Sequence, residues 1–128
     1  MFTPVNAFSG FSVDDLDAAR AFYGDTLGLS VDSGAMGLTI HLAGGSSVFA
    51  YPKPNHEPAS FTILNFVVED IDAAVADLND RGVVTKIYDD ADLNTDERGI
   101  ARGKSAGLGP DIAWFRDPAG NVLAVLAD

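Results

Sequence analysis

The chain has 128 residues, 47% hydrophobic and 21% charged, an ordinary balance for one soluble globular domain with a sizeable core. Its net charge of −11 argues against nucleic acid as a partner, and the absence of cysteine excludes disulfides, thiolate zinc sites and cysteine nucleophiles. No run approaches the roughly 18 apolar residues of a membrane span, and Met1 to Asn6 does not resemble a signal peptide, so no membrane partner and a cytoplasmic location are expected.

Phe8 to Val13 reads as a short strand with Ser9, Phe11 and Val13 on one face. Asp14 or Asp15 can cap a helix in which Leu16, Ala19, Phe22, Tyr23 and Leu27 recur at helical spacing before Gly28 stops it. Three strands are predicted next: Leu29 to Ser33, Gly37 to Ala43 and Ser47 to Tyr51. A proline-rich, polar linker runs from Pro52 to Ser60. Phe61 to Val68 then reads as a strand and Asp70 to Arg81 as a helix burying Ile71, Ala74, Val75 and Leu78. Val83 to Tyr88 is β-branched and reads as a strand. Asp89 to Pro110 is long for a connection, and its glycine-hinged, charged centre reads as a lid or as a solvated loop. Within it Asp90, Asp92, Asn94 and Asp96 alternate as in a calcium loop, but Thr95 and Ala101 occupy the positions that need Gly and Glu. Ile112 to Arg116 and Val122 to Leu126 form a hairpin-like pair across Asp117-Pro-Ala-Gly-Asn121.

The chain repeats itself. Asp14-Asp-Leu-Asp-Ala-Ala-Arg-Ala21 returns as Glu69-Asp-Ile-Asp-Ala-Ala-Val-Ala76, displaced by 55 residues, and the strands before them also correspond. Each copy reads as strand, helix and three strands, which gives an α+β class with mixed sheets covered by one main helix per unit.

Val13-Asp-Asp-Leu-Asp-Ala-Ala-Arg-Ala-Phe-Tyr23 with Leu27-Gly-Leu29, Val68-Glu-Asp-Ile-Asp-Ala-Ala-Val75 with Arg81-Gly-Val83, and Phe115-Arg-Asp-Pro-Ala-Gly-Asn121 together resemble the vicinal oxygen chelate superfamily. This is also called the glyoxalase, bleomycin-resistance and extradiol-dioxygenase superfamily. The resemblance implies a single domain over residues 1–128, with two tandem βαβββ modules of about 5–54 and 60–128. Together they would form a half-open, eight-stranded cup holding the site. Metal-dependent members carry a His or Gln on each module's first strand and a Glu on each last strand. The matching first-strand positions here are Phe8 and Ile63, the second closing position is Ala124, and Val48 to Tyr51 offers no carboxylate. Carbon side chains have no lone pair for a cation, so no metal and no cofactor are expected, and the metal-free branch of the family is the better match.

The resemblance and strand parity nominate Phe8, Ser12, His41, Tyr51, Ile63, Asn65, Trp114 and Ala124 as ligand-binding residues. Phe8, Tyr51 and Trp114 would supply an aromatic lining, though each is also readable as an ordinary core residue, Phe8 most readily. Asn65 can orient a ligand or satisfy a neighbouring strand, and His41 can carry a proton or simply be solvated. His56 falls in the linker and is expected to be exposed. The leading expectation is a homodimeric protein that binds or sequesters a small, partly aromatic molecule, cationic or neutral given the acidity. The alternatives are an isomerase-, lyase- or dioxygenase-like enzyme working through His41, Tyr51 or Glu97, and a degenerate module serving only protein interaction.

Overall fold

The computed structural model describes residues 1–89 and 94–128, so Asp90 and Asp92 of the calcium-like alternation lie outside the described residues. The chain divides into two compact units, Met1–Pro58 and Ala59–Asp128, and the division falls inside the proline-rich Pro52 to Ser60 segment.

In the first unit β1 (Ser9–Val13) is followed by α1 (Leu16–Arg20), a π-helical turn (Ala21–Thr26), β2 (Ser30–Ser33), β3 (Leu38–His41) and β4 (Ser47–Pro52). The sheet order is β1-β4-β3-β2, with β1 parallel to β4 and the other pairs antiparallel. Asp15 caps α1 by accepting from the Ala18 N–H at 3.1 Å, satisfying one of the first turn's orphan donors. Phe11, Val13, Leu38, Ile40, Val48 and Ala50 are buried with Ala19 and Tyr23. The Tyr23 ring touches those of Phe11 and Phe22 at centroid distances of 5.8 and 5.1 Å. The continuous α-helix expected up to Gly28 widens instead into π geometry, closed by the Leu27 N–H donating to the Phe22 carbonyl at 2.8 Å. Gly24 sits inside this turn, where even a Cβ would come within 3.0 Å of Val31, so the wide turn lies hard against β2.

The second unit repeats the order: β5 (Thr62–Val67), α2 (Ile71–Asp80), β6 (Ile100–Arg102), a short α3 (Gly103–Ala106), β7 (Asp111–Arg116) and β8 (Val122–Ala127), arranged β5-β8-β7-β6. The fold is therefore α+β, built from two four-stranded mixed sheets, each with its own helix. Asp70 caps α2 through the Ala73 N–H at 3.1 Å, the counterpart of Asp15 in the first copy. Ile71 and Val75 are buried on the helix side, and Phe66 stacks on the buried Phe115 at 6.4 Å.

Two expectations are corrected here. Val83 to Tyr88 is not a strand, and Asp89 to Pro110 is not wholly a loop, because the fourth strand of the sheet is Ile100–Arg102, paired to β7. The alternation in 83–85 is physically real: Val83 and Thr85 are buried while Val84 is exposed. Side chains rather than a ladder satisfy this segment. Asn79 donates to the Val83 carbonyl at 2.9 Å and to the Thr85 hydroxyl at 3.0 Å, and Thr85 donates to the Arg98 carbonyl at 2.6 Å. β6 takes the place beside β7, so this segment is not the strand that pairs there. Gly99, at φ +88°, is what allows the close crossing, since a Cβ there would lie 1.9 Å from the Thr85 oxygen.

Charge fastens β6 to α2. Asp72, in the first turn of α2, accepts from Arg98 at 2.5 Å and from Arg102 at 2.7 and 3.1 Å, while Asp96 accepts from Arg102 at 3.3 Å. The Arg102 guanidinium, and secondarily Arg98, hold the Asp72 carboxyl below its ordinary range. Both partners shift in the direction that favours the ion pair, with Arg102 raised chiefly by Asp72.

The β7–β8 turn closes on a buried carboxylate. Asp117 accepts from the Ala119 and Asn121 backbone N–H groups at 3.0 and 2.9 Å and from the Asn121 amide at 3.0 Å. Gly120 alone in this turn takes positive φ, at 85°.

Two outcomes are expected. Asp117→Ala strands three donors in a buried turn and lowers urea-denaturation stability by about 2–3 kcal/mol; a loss below about 0.5 kcal/mol would show that the turn does not need the carboxylate. Because the folded pKa of Asp72 is depressed, its contribution is present above the unfolded value of about 4 and is lost as pH falls through the lower folded value. Asp72→Asn is therefore expected to lower the melting temperature at pH 7, with the gap to the parent closing in acid. A gap independent of pH would contradict the ion pair.

Candidate functional site

In the first unit the pleat puts the buried side chains on one sheet face and leaves the opposite face open, whereas in the second unit Val122 and Ala124 of β8 are buried on the face shared with Asn65 and Trp114. In the first unit, cross-strand register places Gly10, Phe49, Thr39 and Asp32 in one row. Phe8, Ser12, Tyr51 and His41 share that face. The Phe8 and Phe49 rings meet edge to face at 6.5 Å, and Phe49 stacks on Tyr51 at 6.3 Å. The ladder of three rings is unusually open, with Phe8 66% and Tyr51 38% exposed.

Two polar pairs flank the ladder. His41 Nε2 lies 2.6 Å from Asp32 Oδ2, both exposed. Ser12 Oγ lies 2.7 Å from His56 Nδ1. His56 is thus half-buried and engaged rather than exposed, which corrects the sequence expectation. The reason is local: the Lys53 N–H continues the β1–β4 pairing by donating to the Val13 carbonyl at 3.0 Å, and His56 N–H donates back to Lys53 at 3.0 Å. This turn returns the imidazole to the end of β1.

In the second unit, register aligns Asn65, Ala124 and Trp114 across β5, β8 and β7. Trp114 lies opposite the buried Ala113 and Phe115, which settles its face, and the Tyr88 ring stands edge-on to it at 5.4 Å. Ile63 falls at the register shift between Thr62 and Leu64, outside the regular ladder. Glu97 lies elsewhere, exposed in the turn before β6, in a groove of about 380 Å³ beside the end of α2 with Asn79, Lys86 and Arg98. A second groove of about 530 Å³ follows the β6 edge past Arg102, Leu108 and Ile112. None of the eight nominated ligand residues lines either groove.

Register also identifies the fourth family position. Gly10 corresponds to Asn65 in the repeat; Asn65 pairs with Ala124 and Gly10 with Phe49. Phe49 is therefore the first-unit counterpart of Ala124. The positions to which the resemblance assigns metal ligands thus carry Phe8, Phe49, Ile63 and Ala124, carbon side chains with no lone pair for a cation. Among the described residues, no group of three or more His, Asp or Glu side chains is placed to hold one. Phe49 and His56 escaped the sequence reading. The repeat held the signal for Phe49, once β4 is aligned to β8; nothing local marked His56, whose partner is 44 residues away.

A family model described as the glyoxalase/bleomycin resistance protein/dioxygenase superfamily matches residues 6–125. The chain belongs to this superfamily. Among solved structures, TnmS3, an antibiotic-binding protein from Streptomyces sp. CB03234, is 26% identical, covering 98% of each chain at a TM-score of 0.65. A glyoxalase/bleomycin resistance protein from the same Streptomyces is 27% identical over 94% of this chain and 99% of that one, at a TM-score of 0.60. The fosfomycin resistance protein FosX from Listeria monocytogenes shares the fold at a TM-score of 0.69 and 12% identity, covering 99% of this chain and 95% of its own. No curated protein matches the chain. Among the described residues, no helix is long and apolar enough to cross a membrane.

Trp114 is the single tryptophan of the chain and reports on this face. Tyr88→Ala is expected to shift its fluorescence to longer wavelength as the indole gains water, whereas an unchanged spectrum would contradict the ring contact.

Proposed function

We propose that this protein binds a small, partly aromatic molecule on the open aromatic face of its first sheet, without a metal ion. The observation that carries the reading is the Phe8–Phe49 pair, two rings in edge contact at positions where metal-dependent relatives place ligands. Rings left open to water in a folded chain are suited to a flat, apolar surface, because stacking and area burial both favour it. Tyr51 extends this ladder within the first unit, and in the second unit Trp114 and Tyr88 form a separate ring pair of their own. The net charge of −11 and the exposed Asp32 favour a neutral or cationic ligand over an anion. The likeness to an antibiotic-binding protein at 26% identity supports a sequestering role.

Pairing of two copies and a cytoplasmic location belong to the same proposal. The first is supported by large apolar side chains left exposed, Phe61 and Val67 among them; the second by a chain free of cysteine.

A thermal-shift screen of planar aromatic antibiotics tests the reading. A ligand at a hundred times its Kd stabilises the native state by about 2.7 kcal/mol. The expected result is a raised melting temperature, unaltered by EDTA, with affinity reduced about tenfold in Phe49→Ala. A stabilisation that disappears with EDTA would overturn it.

A further inference from the structure

We propose that Ser12 and His56 form an acyl-transfer dyad that accepts small aryl esters, an inference that rests on the aromatic site proposed above. Ser12 Oγ and His56 Nδ1 are 2.7 Å apart, brought together from the end of β1 and the turn after β4. With the ring proton on Nε2, Nδ1 accepts from the hydroxyl, the arrangement in which a base can take the proton as the oxygen attacks. Both side chains are half-buried, so water reaches the pair without surrounding it.

The surroundings define the substrate. Ser12 pairs in register with Tyr51, whose ring stacks on Phe49 at 6.3 Å. An aryl group lying along that ladder brings its ester carbonyl toward the β1 end of the face, where Ser12 stands. A dyad lacking the aromatic platform would hold no substrate, and the platform lacking the dyad would only bind.

The chemistry balances without a co-reactant other than water. Ser12 Oγ bonds to the carbonyl carbon as its proton passes to His56 Nδ1. The bond to the aryl oxygen breaks, and that oxygen leaves as a phenol with the proton from His56. Water then attacks the acyl carbon, giving a proton to His56, and the bond to Ser12 breaks as the proton returns to Oγ. A carboxylic acid and the free hydroxyl result.

The test mixes the full chain with para-nitrophenyl acetate and follows release of nitrophenolate, with mass spectrometry locating the acetyl group. The expected result is an acetyl ester on Ser12, no ester or burst in Ser12→Ala, and a rate about a hundredfold lower in His56→Gln. Binding of para-nitrophenol, measured by equilibrium dialysis, should persist in both variants. Acetyl groups found only on lysines, or a Ser12→Ala rate equal to the parent's, would overturn the dyad while leaving the aromatic site standing. Failure of the parent chain to bind para-nitrophenol would instead bring down the aromatic site and the dyad with it. If His56→Gln fails to fold by circular dichroism, the Ser12→Ala comparison decides alone.

Discussion

Cross-strand register is the constraint on which the rest of the structure depends. Gly10 opposite Phe49 and Asn65 opposite Ala124 fix which residues share a row, and with period-two alternation they fix which face each row serves. A slip of one residue in β4 would turn Phe49 and Tyr51 under the helix and bring Val48 and Ala50 out to water. The buried set of Phe11, Val13, Leu38, Ile40, Val48 and Ala50 opposes such a slip. Each of the larger side chains in this set, from valine to phenylalanine, contributes roughly 1.5–3 kcal/mol to holding the register. Hydrophobic burial on the helix side thus positions the exposed rings on the other.

Under the proposed reading, the same constraint lets one fold serve with and without metal. A row position is a geometric address, and the side chain at that address decides the chemistry. Lone pairs at four such addresses can ligate a cation; Phe8, Phe49, Ile63 and Ala124 present carbon instead. In the first unit the substitution creates a new surface, because Phe8, Phe49 and Tyr51 contact one another in sequence. In the second it leaves a small, buried methyl in register between Asn65 and Trp114.

Much of this was legible in the sequence, because the features concerned are local or repeated. Asp15 and Asp70 announce their helices by capping chemistry, the Asp-Pro-Ala-Gly-Asn turn announces the β7–β8 hairpin, and the repeat predicts two sheets of one order. What escaped depends on contacts distant in the chain. Val83 to Tyr88 has the composition of a strand, but the place beside β7 is taken by the three-residue β6, too short to show a period. The π-helical turn keeps the apolar spacing of an α-helix and departs from it only in its hydrogen bonds. His56 looks like linker until the Lys53–His56 turn carries it back to Ser12.

The central claim is that recognition here runs through aromatic carbon and needs no cation. Elemental analysis of the full chain, purified from metal-replete culture without any chelator, addresses it most directly. Substoichiometric traces of every transition metal are the predicted result. One tightly held divalent ion per chain, surviving dialysis and lost together with ligand binding, would contradict the account.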